Sequence, residues 1–352
     1  MLHKHNYIFS KRLVCNIFKK GLVIYNFRAH CSGYFFGLLK HGLKSRTDVQ
    51  FHLAALRGDC DRLRQLLDTG KVHIDSRDRD GTTPLILSAA MGHTECVREL
   101  LAQGADPACC RTTGTSALFF AAQGGFLDVA CLLLDSGANI DAPSLDGGTP
   151  LFVACQCGHL PVVNELIRRG ANVNSCMKDK ATPLFIAAQN GHDAVCRALV
   201  AAGAGADAAR ADRATPLWIA AQCGHAPAAR ALLDAGAHVD AVRQDGATPL
   251  FKAAHKGHAA VVAELLKYDP NLGLLPNGQT ALHGAAMFGQ LSCVRLLARR
   301  SGTRVRNAAG LTAAQAAAAA RRPDVVAYLA SLAPGPSGPG GPGCPGGPAR
   351  SG

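Results

Sequence analysis

Apolar residues along this chain come in short bursts separated by polar turns, and the bursts return at a fixed step of 33 residues. The first burst of each period follows Thr-Pro or an equivalent pair. It appears as Thr83-Pro84-Leu85, Ser116-Ala117-Leu118, Thr149-Pro150-Leu151, Thr182-Pro183-Leu184, Thr215-Pro216-Leu217 and Thr248-Pro249-Leu250, then after a step of 32 as Thr280-Ala281-Leu282. The second burst ends in paired apolar residues such as Leu133-Leu134, Leu166-Ile167, Leu199-Val200, Leu232-Leu233, Leu265-Leu266 and Leu296-Leu297. In residues 80–112 the pattern predicts two short helices. Asp80-Gly81 forms a turn, Thr83 caps the first helix, and Pro84 fits its first position, where no N–H is needed. Gly92 ends that helix near Met91 in a left-handed conformation. The second helix begins near His93, carries Val97, Leu100 and Leu101 at helical spacing, and stops at Gly104.

One such pair cannot bury its own apolar face, so neighbouring pairs must stack into a continuous core. The linking glycine recurs as Gly125, Gly158, Gly191, Gly224, Gly257 and Gly289, and the terminating glycine as Gly137, Gly170, Gly203 and Gly236. The Thr-Pro-Leu start, the Gly-His link and the Gly-Ala-Asp ending together resemble the ankyrin repeat over roughly residues 46–333. The resemblance implies an all-α fold: a solenoid of stacked helix-turn-helix units joined by hairpin-like turns, with a concave face that binds a partner protein. The array divides into a degenerate first unit (46–79), seven units (80–308) and a degenerate last unit (309–333). Atypical ends are expected, because a terminal unit must cover one side of the core with polar surface.

Two flanks stand apart. The leader, 1–45, mixes apolar and basic residues, with no apolar run near the roughly 18 residues of a membrane span. Its composition reads as a disordered leader, with mitochondrial targeting as the alternative. The Pro/Gly-rich tail, 334–352, has nothing to pack and is expected to be disordered. Charge follows these boundaries. The net charge is +12, yet residues 1–47 hold nine Lys/Arg and no acid, leaving 27 basic against 25 acidic residues in 48–333. An array so balanced is a poor match for nucleic acid, which needs clustered cations.

Candidate chemistry resolves into packing. Cys96, Cys196 and Cys293 share one position in the second helix, where other units have Val129 and Val162, so they read as small buried apolar groups. Cys157 and Cys223 lie two units apart, well beyond the roughly 7 Å reach of a disulfide. Cys109-Cys110 and Cys155-Gln156-Cys157 lack a second pair at zinc spacing. Reduced thiols in an intracellular, cytoplasmic protein are therefore expected. His93, His159, His192, His225 and His258 fall in one register. Helix layers about 8–10 Å apart cannot share an ion whose bonds are about 2 Å, so each His is read as hydrogen-bonding locally. No nucleophile elbow, phosphate loop or paired carboxylates occur, so no catalytic residue, metal or cofactor is assigned and the chain is read as non-enzymatic.

Binding is assigned to two rows. The residue after each Thr-Pro-Leu is Ile86, Phe119, Phe152, Phe185, Trp218 or Phe251, and in the later Thr280-Ala281-Leu282 copy His283; the family pattern usually has His there. These aromatics are expected to pack in the core. The next row is Leu87, Phe120, Val153, Ile186, Ile219 and Lys252, which the resemblance turns toward the concave groove. Three residues on stand Ala90, Gln123, Gln156, Gln189, Gln222 and His255. Phe120, Val153, Ile186, Ile219 and Lys252, flanked by Gln123, Gln156, Gln189 and Gln222, are the expected partner-binding residues, a groove for a helix or extended peptide. Turn tips at Asp146, Asp179, Asp212 and Arg213 are secondary candidates. The expectation is a monomeric scaffold or adaptor, or alternatively a tethering module placed by its basic leader.

Overall fold

The computed structural model describes residue 43 and residues 45–332 except 277. The tail and all of the leader but residues 43 and 45 lie outside them, with the expectations placed there. Within the described residues the chain forms nine consecutive helix pairs, α1 to α18. The first helices are α1 (Arg46–Arg57), α3 (Pro84–Met91), α5 (Ala117–Gly124), α7 (Pro150–Cys157), α9 (Pro183–Asn190), α11 (Pro216–Cys223), α13 (Pro249–Lys256), α15 (Ala281–Met287) and α17 (Ala313–Ala319). The second helices are α2 (Cys60–Asp68), α4 (Thr94–Ala102), α6 (Leu127–Asp135), α8 (Leu160–Arg168), α10 (Asp193–Ala201), α12 (Ala226–Asp234), α14 (Ala259–Leu265), α16 (Leu291–Ala298) and α18 (Pro323–Ser331). Each first helix packs on the first helix of the next layer and each second helix on the next second helix, giving two parallel rows.

Local chemistry sets the boundaries. The hydroxyls of Thr83, Ser116, Thr149, Thr182, Thr215, Thr248, Thr280 and Thr312 each accept the backbone N–H three residues on. Each satisfies an N–H that the first turn of a helix leaves without a backbone acceptor. The second helices have no side-chain cap at the recurrent histidines. Their burial is amphipathic instead: α8 turns Val162, Val163 and Leu166 inward, and α10 turns Val195, Cys196 and Leu199 inward.

Three ladders tie the layers together besides the apolar core. Hairpin tips are joined by backbone bonds, with Thr112 N–H donating to Asp80 O at 2.7 Å, Lys178 N–H to Asp146 O at 3.0 Å and Ala211 N–H to Asp179 O at 2.8 Å. At the other edge, the carboxylates of Asp75, Asp141, Asp207 and Asp240 accept the backbone N–H of Asp106, Asn172, His238 and Asn271 in the following layer. The third ladder belongs to the histidines. His93 Nε2–H donates to the Leu56 carbonyl at 3.0 Å, and His159, His192, His225 and His258 donate to the carbonyls of Gln123, Gln156, Gln189 and Gln222 at 3.0–3.2 Å. The bond expected to be local therefore crosses to the preceding layer, because the ring lies over that layer's linking glycine. A Cβ on Gly58, Gly125, Gly158, Gly191 or Gly224 would stand 2.6 Å from the imidazole of the next layer.

Candidate partner-binding face

The first-helix row carries the candidate site, and the aromatic register beneath it comes first. Ile86, Phe152, Phe185 and Trp218 are buried, whereas Phe119 and Phe251 are half-buried, consistent with packing between layers. Trp218 Nε1–H donates to the Ala247 carbonyl at 3.0 Å, and His283 Nε2–H donates to the Leu311 carbonyl at 2.9 Å. The indole thus makes the same inter-layer bond that the imidazole makes at this register. Burial pushes the His283 pKa down, which favours the neutral ring that accepts the Thr280 hydroxyl at Nδ1, 2.8 Å away. Arginines cover the rings: Arg210 lies 5.0 Å from the centroid of Phe185 and Arg243 lies 4.8 Å from that of Trp218. Asp212 bridges the two, accepting from Arg210 at 2.7 and 3.0 Å and from Arg243 at 3.0 Å. Its carboxyl is held well below the usual range, first by the Arg210 hydrogen bonds. This turn tip is a clamp between layers, not a free recognition group.

The row expected to line the groove lies deeper than a contact surface. Phe120 is 8% exposed, Val153 2%, Ile186 8% and Ile219 5%. Each sits one residue beyond the aromatic register and joins the core between adjacent first helices. Together they make a floor, and only Lys252 in this row is half-exposed. The amides differ. Gln123, Gln156, Gln189 and Gln222 are all half-buried. Their backbone carbonyls accept the histidine ladder, while their side-chain amides make no hydrogen bond to other described residues. Four carboxamides, each with donors and an acceptor to spare, stand at one-layer steps of about 8–10 Å along one face.

Reactive chemistry is muted elsewhere. The described cysteines are free thiols, and burial pushes Cys96 and Cys196 up to about 12 and Cys157 and Cys293 up to about 11, which suppresses the thiolate. Among the described residues no three His, Cys, Asp or Glu side chains are grouped to hold a metal ion. No described helix is long and apolar enough to cross a membrane.

Stacked helix pairs with capped first helices and a histidine–glycine ladder define a helical repeat solenoid. The profile of the family "Ankyrin repeats (3 copies)" matches residues 51–144, 141–212, 199–273 and 261–336, and the chain belongs to that family. Among curated proteins, it is similar to ankyrin repeat domain-containing protein 29 of Homo sapiens, 53% identical over 53 residues. That stretch is 15% of this chain and 18% of the relative. The same protein of Danio rerio is 49% identical over 53 residues, and DNA-binding protein RFXANK of Homo sapiens is 41% identical over 59 residues, covering 17% of this chain and 23% of that one. The matches thus span less than a quarter of each of these relatives' length. Among solved structures, the crystal structure of the human ASB11 ankyrin repeat domain superposes with a TM-score of 0.58 at 31% identity, covering 63% of this chain and 99% of that one. Ankyrin repeats are in general protein–protein interaction modules without catalytic chemistry of their own.

Proposed function

We propose that this protein is a non-enzymatic adaptor that holds one partner protein along its first-helix face. The observation that carries the reading is the amide row. Gln123, Gln156, Gln189 and Gln222 repeat on one face, half-buried, with side-chain amides unengaged by other described residues. A polar group that is half-desolvated yet unpaired gains more from a partner's hydrogen bond than a fully hydrated one does. The layers beneath are locked by the three ladders, so the row is presented without large loss of conformational freedom on binding. The buried floor of Phe120, Val153, Ile186 and Ile219 contributes by fixing the spacing of the amides, and Lys252 ends the row with a charge. An extended peptide or one face of a helix supplies complementary groups at this repeat.

The test is proximity labelling in cells with the intact chain and with Gln156→Arg/Gln189→Arg, whose bulk fills the face without touching the core. Loss of one set of labelled proteins from a variant with an unchanged melting profile supports the adaptor reading. Identical labelling by both chains would remove the amide row from the binding surface.

A further inference from the structure

Charge along the array is not evenly spread. Residues 48–240 hold sixteen Lys/Arg against twenty-one Asp/Glu, whereas residues 241–332 hold eleven against four. The near-neutral total conceals an acidic first part and a basic last part. The change of sign reaches the binding face at α13. There Lys252 takes the register occupied by Phe120, Val153, Ile186 and Ile219, and His255 takes the register of the four glutamines, with the exposed Lys256 beside it.

These cations are under-compensated. Lys252 and Lys256 form no ion pair with any described residue. The carboxylate that acts on Lys252, that of Asp245, is already bound to Arg243 at 3.3 Å. Lys252 Nζ instead lies 5.5 Å from the centroid of Trp218, the same ring that Arg243 covers. Partial burial and the neighbouring Lys256 and Arg243 push the Lys252 pKa down, as expected of a cation short of counter-charge. His255 is positioned by aromatic contact, its ring centroid 3.9 Å from that of Phe288, and its Nδ1 is buried with no hydrogen-bond partner. Phe288, at the end of the next first helix, is 47% exposed, one of the few large apolar side chains left open in the described chain. Two lysines without an ion pair to any described residue, and an open phenylalanine stacked on the His255 between them in sequence, therefore sit at the basic end of the amide row.

We infer that Lys252 and Lys256 receive an acidic segment of the partner, with Asp or Glu carboxylates on the two ammonium groups and an adjoining apolar side chain on Phe288. The inference rests on the adaptor reading above and adds the chemistry and polarity of the partner. Its acidic end lies over α13 and the stretch bound by hydrogen bonds runs back along α11, α9 and α7. A peptide fits better than nucleic acid, because the cations on this face are few and adjoin an apolar surface instead of extending as a basic stripe.

The experiment is fluorescence anisotropy on the full chain with three labelled probes: a synthetic Glu-rich peptide carrying one Phe, the same peptide with Gln for every Glu, and a single-stranded oligonucleotide. Binding of the Glu peptide that weakens with added salt, and that falls about tenfold or more in Lys252→Gln/Lys256→Gln, is the expected result. Lys252→Arg/Lys256→Arg should restore it, and Lys71→Gln/Lys178→Gln, which removes the same charge from exposed sites elsewhere, should leave it unchanged. Equal binding of the Glu and Gln peptides, tighter binding of the oligonucleotide, or insensitivity to the α13 variant would each overturn the inference. The adaptor reading fails separately. Loss of cellular partners from Gln156→Arg/Gln189→Arg but not from Lys252→Gln/Lys256→Gln keeps the adaptor and discards the acidic segment.

Discussion

At Gly191 two demands meet on one atom. Its φ is +78°, in the left-handed region, and a Cβ there would stand 2.6 Å from the His225 ring. That ring cannot swing away freely, because Nε2 donates to the Gln189 carbonyl at 3.1 Å. Gly191→Ala should therefore cost more than the roughly 1–2 kcal/mol of left-handed strain alone. His225→Ala removes the clash but not the strain, so the two changes should cost less together than the sum of each alone. Denaturant melts of the four chains measure that coupling, and additive costs would mean that the histidine does not press on the glycine. From the sequence, the register of His93, His159, His192, His225 and His258 and of their glycines was plain. Which group each imidazole reaches was not, since the acceptor lies 36 or 37 residues back on another layer and only the stacking geometry brings it close.

At the scale of one element, the caps follow the sequence closely. Thr-Pro fixes each first-helix start through a hydroxyl acceptor and a proline that needs no donor, and each linking glycine turns the chain into the second helix. The hairpin tips depart from this economy. At the tip position where other layers use Gly81, Gly114, Gly147 and Gly246, two layers place Lys180 at φ +66° and Arg213 at φ +64°. Left-handed strain of about 1–2 kcal/mol per residue exceeds the roughly 0.4–1 kcal/mol by which glycine loosens the unfolded chain. Lys180→Gly/Arg213→Gly should consequently raise stability, by about 0.5–1 kcal/mol per site, read as a shift of the denaturant midpoint at constant slope. A midpoint that falls would place a compensating contact on one of these side chains. Burial was the harder quantity to read from sequence. Phe120, Val153, Ile186 and Ile219 directly follow their aromatic neighbours in one helix turn, and spacing alone does not say how far the next layer overlaps them.

For the whole molecule, the repeat period settled the architecture, because a unit too small to fold alone leaves stacking as the only route to a core. The pooled charge of the array was misleading in the opposite way. Summing over all units hid the change of sign near residue 240, which becomes meaningful once α13 places Lys252 and Lys256 on the same face as the amide row. An adaptor of this form has a direction, with an amide row leading to a cationic end.

The claim that a partner lies along the first-helix face is tested most directly by site-specific photo-cross-linking. A photoreactive residue is placed singly at Gln156, Gln189 and Lys256, and at the exposed Asp128 and Arg197 of the second-helix row, and products are identified by mass spectrometry. One common protein should be captured from the three first-helix positions and not from the two second-helix positions. Capture of that protein from Asp128 or Arg197, with none from Gln156 and Gln189, would contradict it.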